Sequence, residues 1–452
     1  MKIEVAEVVD RSPIGSYQLR IVLICAFVAL LDGLDIQAMA LVTPSLREEW
    51  GLPASAFGPV ISASFAGIML GMLGLGLLGD KWGRRKVLIG SFILVGVSSV
   101  LTGFATSLEE LVVYRLLTGV GIGGCLPNVT ALTAEFVPAS RIAFFVTLMY
   151  SAVPLGGVVG GYIGGPIISQ FGWSAIFFLG GIVPLILCLV IYFFLPESVR
   201  FLARKPGQED SVGRILEKID PDFRYSTGDK FTVANSGSNG TLKDLFRDGQ
   251  ASLTLLLWGV FFFSLFGMYM LASWLPTVFV ERGWKLDDAI KSVSYFWLGG
   301  IFGGLVAGWL IDRFGPYLVL VPGFALGALL TAAIGVWAGD AWTTLVIVLA
   351  SGFGVVGAQL AMTALAAELY PTHVRSTGVG WGLGVGRVGA VISPIAGGYA
   401  VSAGWSHGEL FGAAAVPFII CSILALMMGL VAAARQKRRS ITALPNKSSE
   451  VS

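Results

Sequence analysis

Runs of about twenty mostly apolar residues recur along the whole chain, and they limit its possible folds more than any other feature. Each run can cross the hydrocarbon core of a bilayer as one helix. The sequence therefore predicts an all-α integral membrane protein with twelve membrane-spanning helices, whose surroundings are the lipid bilayer. The twelve runs begin near Ile21, Phe57, Val87, Leu108, Ile142, Trp173, Ala251, Ala289, Tyr317, Trp342, Ser376 and Gly408.

The composition excludes several other classes of protein. Charged residues make up 13% of the chain, about half the usual share in soluble domains. The 60 glycines suit close packing of helices in lipid. The four cysteines lie inside apolar runs without metal-ligand spacing, and no P-loop or catalytic triad can be assembled. We expect no enzyme activity, no metal, no cofactor and no nucleic acid partner.

One connection is much longer than the rest. It runs from about residue 196 to residue 250 and contains the linker-like sequence ANSGSNGT. Most of the 30 Lys and Arg residues lie in this connection, in the two tails and in the loops on the same side. The positive-inside rule therefore places both termini and this connection in the cytoplasm. The predicted organisation is a tail 1–20, a six-helix bundle 21–195, a cytoplasmic loop 196–250, a second bundle 251–434 and a tail 435–452.

Two short motifs each occur twice. The segments Gly76–Lys86 and Gly308–Pro316 share the pattern G-x-x-x-D-[KR]-x-G, with Asp80 and Asp312 separated by 232 residues. The segments AEFVPASR and AELYPTHVR follow predicted spans 4 and 10, with Glu135 and Glu368 separated by 233 residues. Two unrelated motif pairs at nearly one offset indicate duplication of a six-helix unit, which is a transporter architecture.

These motifs resemble those of the major facilitator superfamily. GLLGDKWGRRK is similar to that superfamily's loop between spans 2 and 3, YRLLTGVGIGG to its span 4 motif, and LPESVRFL to the element that closes its first half. The resemblance covers nearly the whole chain. It implies two pseudo-symmetric six-helix bundles, with a central binding site and transport by alternating access.

Two carboxylic acids interrupt the first apolar run. Asp32 and Asp35 lie near its middle and share one helix face. Charged residues at this depth are costly and are functional hypotheses by default. Two adjacent, partly desolvated carboxylates cannot both ionise cheaply, so the pair is expected to couple proton movement or to contact substrate. The alternative is a structural pair that caps broken helix turns near Gly33.

A narrower resemblance rests on two stretches. DGLD in span 1, followed by Pro44, Ser45 and Leu46, and ASWLPT in span 7 resemble the aromatic acid/proton symporters. This resemblance implies a proton-coupled importer of a hydroxybenzoate-like aromatic carboxylate in a bacterial inner membrane, expected to be a monomer. The alternatives are a porter for another solute, such as a sugar, an aliphatic organic acid or a drug, and a membrane sensor that retains the transporter fold.

Two arginines also fall inside predicted spans. Arg387, in span 11, remains charged and can hold a carboxylate through its bidentate fork. The resemblance to the symporters implicates it in transport, and the alternative is an internal salt bridge to Asp32 or Asp35. For Arg115, in span 4, the resemblance implies proton coupling or helix packing.

Gate and wall residues complete the predicted site. A carboxylate at a helix end can pair in one transport state only, and we expect Glu135 to pair with Arg141, and Glu368 with Arg375. Pro316 replaces an arginine in the second loop motif, so the halves need not contribute equally. An aromatic substrate needs flat walls, for which we expect Tyr269, Trp274 and Trp381. The predicted gate residues are Asp80, Arg84, Glu135, Arg141, Asp312, Glu368 and Arg375.

Overall fold

The computed structural model describes residues 2–226, 228–233, 242–247, 250–337, 339–370 and 374–442. Eleven helices in these residues are long and apolar enough to cross a membrane. The helix before them has 35 residues, about 50 Å, and packs against several of them, so we count it as span 1. Spans 1 to 12 are Ser16–Trp50, Ala54–Trp82, Arg84–Gly103, Leu108–Phe136, Ala139–Phe171 (broken at Ser151), Ser174–Phe194, Ala251–Glu281, Leu286–Phe314, Pro316–Val336, Ala341–Leu369, Arg375–Ser402 and His407–Thr442.

The duplication found in the sequence is present in the packing. Span 2 packs on span 4 as span 8 packs on span 10, and the pairs 1–5 and 3–6 recur as 7–11 and 9–12. Gly67 and Gly71 let the backbone of span 4 approach span 2 closely. Gly299 and Gly303, each 232 residues later, do the same between spans 8 and 10. The predicted all-α fold of two similar bundles is therefore confirmed.

The two halves meet at one end of the molecule. We call the end where span 1 begins and span 2 ends the basic end, and the other the opposite end. At the opposite end Arg47 pairs with Glu281 at 2.7 Å, and the backbone N–H of Ser55 donates to Ser402 at 2.7 Å. These contacts join span 1 to span 7 and span 2 to span 11.

A cleft between the halves opens towards the basic end. On span 11, Pro394 and Gly398 contact span 2 of the first half. Further along the same face, Gly384 and Gly380 have open space where a side chain would stand. Exposure also increases along span 2 towards the basic end: Phe65, which contacts the other half, is buried, and Leu73 is exposed. The halves therefore separate from about the middle of the spans.

The long connection between spans 6 and 7 contains folded structure. Its helices Val199–Ala203 and Glu209–Ile219 pack with the N-terminal helix Val5–Arg11. Its strand Lys230–Thr232 pairs in parallel with Lys2–Glu4. The linker-like sequence ANSGSNGT, at 234–241, lies outside the described residues.

Candidate functional site

A buried ion pair links spans 1 and 4. Arg115 donates to both carboxylate oxygens of Asp35, through Nη1 at 3.2 Å and through Nη2. Its Nε donates to Ser64 Oγ at 3.2 Å, and its guanidinium lies 5.5 Å from the centre of the Phe177 ring. Arg115 is 1% exposed and Asp35 4%. The bidentate geometry and the additional hydrogen bond are what such a buried pair requires.

Asp32 lies one helical turn away and has no such partner. It is 2% exposed, and its Oδ2 forms no hydrogen bond. Span 1 continues unbroken through Gly33, whose missing side chain allows the Val153 carbonyl of span 5 to approach. The alternative of carboxylates capping broken helix turns is therefore wrong. A buried carboxyl group without a counter-ion is most stable when it carries a proton.

Arg387 lies where the contact between the halves gives way to the cleft. It shares a face of span 11 with Pro394 and Gly398, which touch span 2, and with Gly384, which faces open space. Its Nη1 is buried and forms no hydrogen bond. Asp35 is held by Arg115, and no ion pair joins Arg387 to Asp32, so within the described residues the internal salt bridge weighed for Arg387 is not formed. The structure thus leaves a partly exposed guanidinium, one nitrogen of which is buried without a described partner, able to bind an anion.

Aromatic rings lie on the opposite-end side of this region. The ring of Tyr269 is 4.4 Å from that of Phe65 in the other half and 6.5 Å from that of Trp297. Gly157 of span 5 adjoins the Trp297 indole. We call Phe65, Tyr269 and Trp297 the aromatic cluster. The sequence predicted Tyr269 as a wall residue, but it gave no signal for Phe65.

The other two predicted wall residues lie elsewhere. The indole N–H of Trp274 donates to the Pro394 carbonyl at 3.0 Å, and its ring packs on Gly397 and Gly398. Trp274 therefore packs spans 7 and 11 together. Trp381 is 46% exposed near the start of span 11 and stacks on Trp258. Neither contacts the aromatic cluster in this structure.

The first copy of the loop motif forms a charged network at the basic end. Arg84 pairs with Asp80 at 3.2 Å and with the buried Glu135. The second carboxylate oxygen of Glu135 accepts from Ser198 Oγ at 2.6 Å. Glu197 accepts from the backbone N–H of Arg85 at 3.0 Å. The LPESVRFL element thus holds the motif, a role that its sequence resemblance alone did not reveal.

The expected pairing of Glu135 with Arg141 is not formed in this state. Glu135 is bound by Arg84, and Arg141 is exposed. In the second copy, Asp312 and Arg375 are both exposed. The side chain of Glu368 lies outside the described residues, so the pairing predicted for it stays a prediction.

Comparison with known proteins defines the family. The Major Facilitator Superfamily model matches residues 25–316 and 292–450. A 4-hydroxybenzoate transporter of Pseudomonas putida is 35% identical over 95% of this chain and 96% of its own. A gallate transporter of the same species is 35% identical over 94% of this chain and 95% of its own, and a benzoate transport protein of Acinetobacter baylyi is 32% identical over 93% and 91%.

Solved structures show the same fold. The inward open xylose transporter from E. coli has a TM-score of 0.70 and 17% identity, covering 90% of this chain and 96% of that one. A bacterial homologue of the human lysosomal transporter Spinster has a TM-score of 0.72 and 15% identity, covering 92% and 98%. The chain belongs to the major facilitator superfamily, and within it to the family of these aromatic acid transporters. It is a multi-pass membrane transporter and not an enzyme, as its sequence predicted.

Proposed function

We propose that the protein imports an aromatic carboxylate together with a proton. The observation that carries this proposal is Arg387, a guanidinium with a buried, unpartnered Nη1 at the inner limit of the cleft. A bidentate arginine suits a carboxylate, and the aromatic cluster supplies flat apolar surface beside the cleft. The relatives are transporters of 4-hydroxybenzoate, gallate and benzoate, which are acids of this class.

The proposed proton carrier is Asp32. Asp35 is paired with Arg115, whereas Asp32 is buried without a counter-ion among the described residues. Asp32 can therefore take up a proton when it faces one side and lose it when it faces the other. One proton moved with one monoanion carries no net charge, so the pH gradient drives the cycle and the membrane potential does not.

Orientation follows from charge. We propose that the basic end and both termini are cytoplasmic in a bacterial inner membrane, because Lys and Arg concentrate there. The structure then corresponds to the state that releases substrate inwards. Each chain contains a complete site, so a monomer is sufficient. In the opposite state, the Asp80, Arg84 and Glu135 network is proposed to help close the basic end.

Uptake by purified protein tests the proposal. Liposomes containing the protein should accumulate labelled 4-hydroxybenzoate when their interior is alkaline, with no change when a potassium diffusion potential is imposed. Arg387→Lys, which keeps the charge but loses the fork, should raise KM about tenfold or more. Arg204→Lys, exposed in the long connection, is the matched control and should leave KM unchanged. Absence of uptake, or failure of benzoates to compete, contradicts the proposed substrate class.

A further inference from the structure

Gln359 is another buried polar side chain with an atom that no described residue binds. It lies on span 10 and is 6% exposed, and its Oε1 is buried without a hydrogen bond from the described residues. Its backbone carbonyl accepts from Thr363 at 3.2 Å, as helical carbonyls commonly do, but its side-chain oxygen has no such donor. A buried amide oxygen without a partner is costly, and native proteins rarely keep one without a reason.

The packing of span 10 shows which way Gln359 faces. Val356, three residues earlier, packs on Gly300 of span 8, and Val355, four residues earlier, packs on Gly327 of span 9. At 3.6 residues per turn, Gln359 lies between these two rows. Val348 and Met362 on the same side are fully buried, so this side faces the protein interior, where span 10 also contacts spans 7 and 11.

Gln359 and Arg387 lie at similar depths. Gln359 is ten residues, about 15 Å, from the basic end of span 10, and Arg387 is twelve residues, about 18 Å, from the basic end of span 11. A cation and a neutral amide on adjacent elements suit a ligand with one charged and one neutral polar group. The amide oxygen can accept from a hydroxyl group, and the amide N–H groups can donate to one.

We infer that Gln359 hydrogen-bonds a hydroxyl group on the ring of the bound acid, and so selects hydroxylated aromatic acids over unsubstituted ones. The inference rests on the proposed function, because it assumes that Arg387 holds the carboxylate of an aromatic acid. A site built to bond a hydroxyl group discriminates against an analogue without one, since the amide is then left unpaired. Loss of one such bond corresponds to about a tenfold change in binding.

The test compares kcat/KM for uptake of 4-hydroxybenzoate and of benzoate in proteoliposomes. The wild-type protein should prefer 4-hydroxybenzoate. Gln359→Met, which is similar in length but apolar, should lower this preference about tenfold by reducing 4-hydroxybenzoate uptake alone. Trp297→Phe removes another buried polar group without a described partner, an indole N–H, and should leave the preference intact. Thr363→Val, one turn along span 10, is the packing control.

Several results would overturn the inference. In Gln359→Met, an equal fall in kcat/KM for both acids, or an unchanged preference for 4-hydroxybenzoate, would do so. Loss of that preference in Trp297→Phe rather than in Gln359→Met would do so as well. Competition in the wild-type protein gives a readout that needs no variant. There, 4-fluorobenzoate, close in size but without an O–H donor, should compete no better than benzoate, and competition equal to that of 4-hydroxybenzoate contradicts the inference. Transport of both acids with equal efficiency overturns this inference alone, whereas transport of neither overturns the proposed function.

Discussion

The two halves share their packing but differ in their buried charges. Leu116 and Val120 of span 4 lie against Gly67, as Leu349 and Phe353 of span 10 lie against Gly299. Corresponding residues of spans 4 and 10 are therefore 233 positions apart in the sequence. At that offset, the position of Arg115 is occupied by Val348, which is fully buried. The duplicated backbone contacts form the scaffold, and the ionisable groups inside the membrane spans, unlike those of the loop motifs, do not follow the repeat.

The aspartates show the same asymmetry. At an offset of 232, Asp32 corresponds to Ser264 and Asp35 to Gly267. Gly267 packs against the ring of Phe418, so an apolar contact stands where the first half has an ion pair. The first half therefore pairs its buried Arg115 with Asp35, whereas Asp32 has no such partner among the described residues. The second half presents Arg387, whose buried Nη1 forms no hydrogen bond with them. We expect variants of the first half to affect folding and coupling, and variants of the second to affect substrate binding.

The largest expected effect comes from splitting the buried ion pair. Asp35→Asn leaves Arg115 buried without a counter-ion, which should destabilise the protein by about 3–5 kcal/mol. Val348→Ala, at the corresponding position of the second half, should cost less, because it removes two methyl groups and no charge partner. Thermal unfolding in detergent measures both. Equal losses would show that the ion pair is not what distinguishes the halves.

Glycines at the helix contacts should behave alike in both halves. A side chain on Gly71 would collide with the Val120 carbonyl, and one on Gly303 with the Phe353 carbonyl. Gly71→Ala and Gly303→Ala should therefore each cost about 1–3 kcal/mol by forcing the helices apart. Gly412→Ala, where nothing lies within 4 Å, is the control in the same unfolding assay. A large effect in one half only would break the structural equivalence of the two helix pairs.

The duplicated loop motifs should respond unequally. Glu135→Gln removes the charge that pairs with Arg84 and leaves one acceptor oxygen where Arg84 and Ser198 need two, a loss of about one charge-assisted hydrogen bond. We expect the transport rate to fall about tenfold, measured as initial uptake at saturating substrate. Asp312→Asn, in the exposed second copy, should change the rate less than twofold. If Asp312→Asn slows transport as much as Glu135→Gln, both copies act in the transport cycle.

The contact between the halves should give the smallest effect. Arg47 and Glu281 are paired but partly exposed, so removing both charges should change stability by less than about 1 kcal/mol. Because the pair joins the halves at the opposite end, its loss should favour opening there. Labelling of a cysteine introduced at Ser55 should then become faster, and a slower reaction would contradict the proposed rocking of the halves.

Most of the fold could be predicted from the sequence, because the length of each apolar run and the distribution of Lys and Arg depend only on neighbouring residues in the chain. The predicted starts at Leu108 and Ala251 are the first residues of spans 4 and 7. The duplicated motifs also revealed the repeat. Asp35 and Arg115 were each predicted as functional, but their pairing depends on the packing of spans 1 and 4, which no local pattern encodes.

Packing also decided which polar and aromatic residues could form the site. Trp274 and Tyr269 are both aromatic residues of span 7 and were both predicted as wall residues. The indole N–H of Trp274 donates to a backbone carbonyl, whereas the ring of Tyr269 contacts a ring of the other half. Ser198 lies in the LPESVRFL motif, which does not show what it binds, and Gln359 carries no sequence signal. Their significance follows from a bond to Glu135 in one case and from the absence of a side-chain partner in the other.

Proton movement coupled to substrate tests the central proposal most directly. Liposomes that contain the protein and a trapped pH dye should acidify when 4-hydroxybenzoate is added, beyond the rate in protein-free liposomes. Asp32→Asn should abolish this acidification while still exchanging labelled for unlabelled 4-hydroxybenzoate, because binding at Arg387 and rocking of the halves remain. Acidification by Asp32→Asn at the wild-type rate, or wild-type uptake without acidification, would contradict the assignment of Asp32 as the proton carrier.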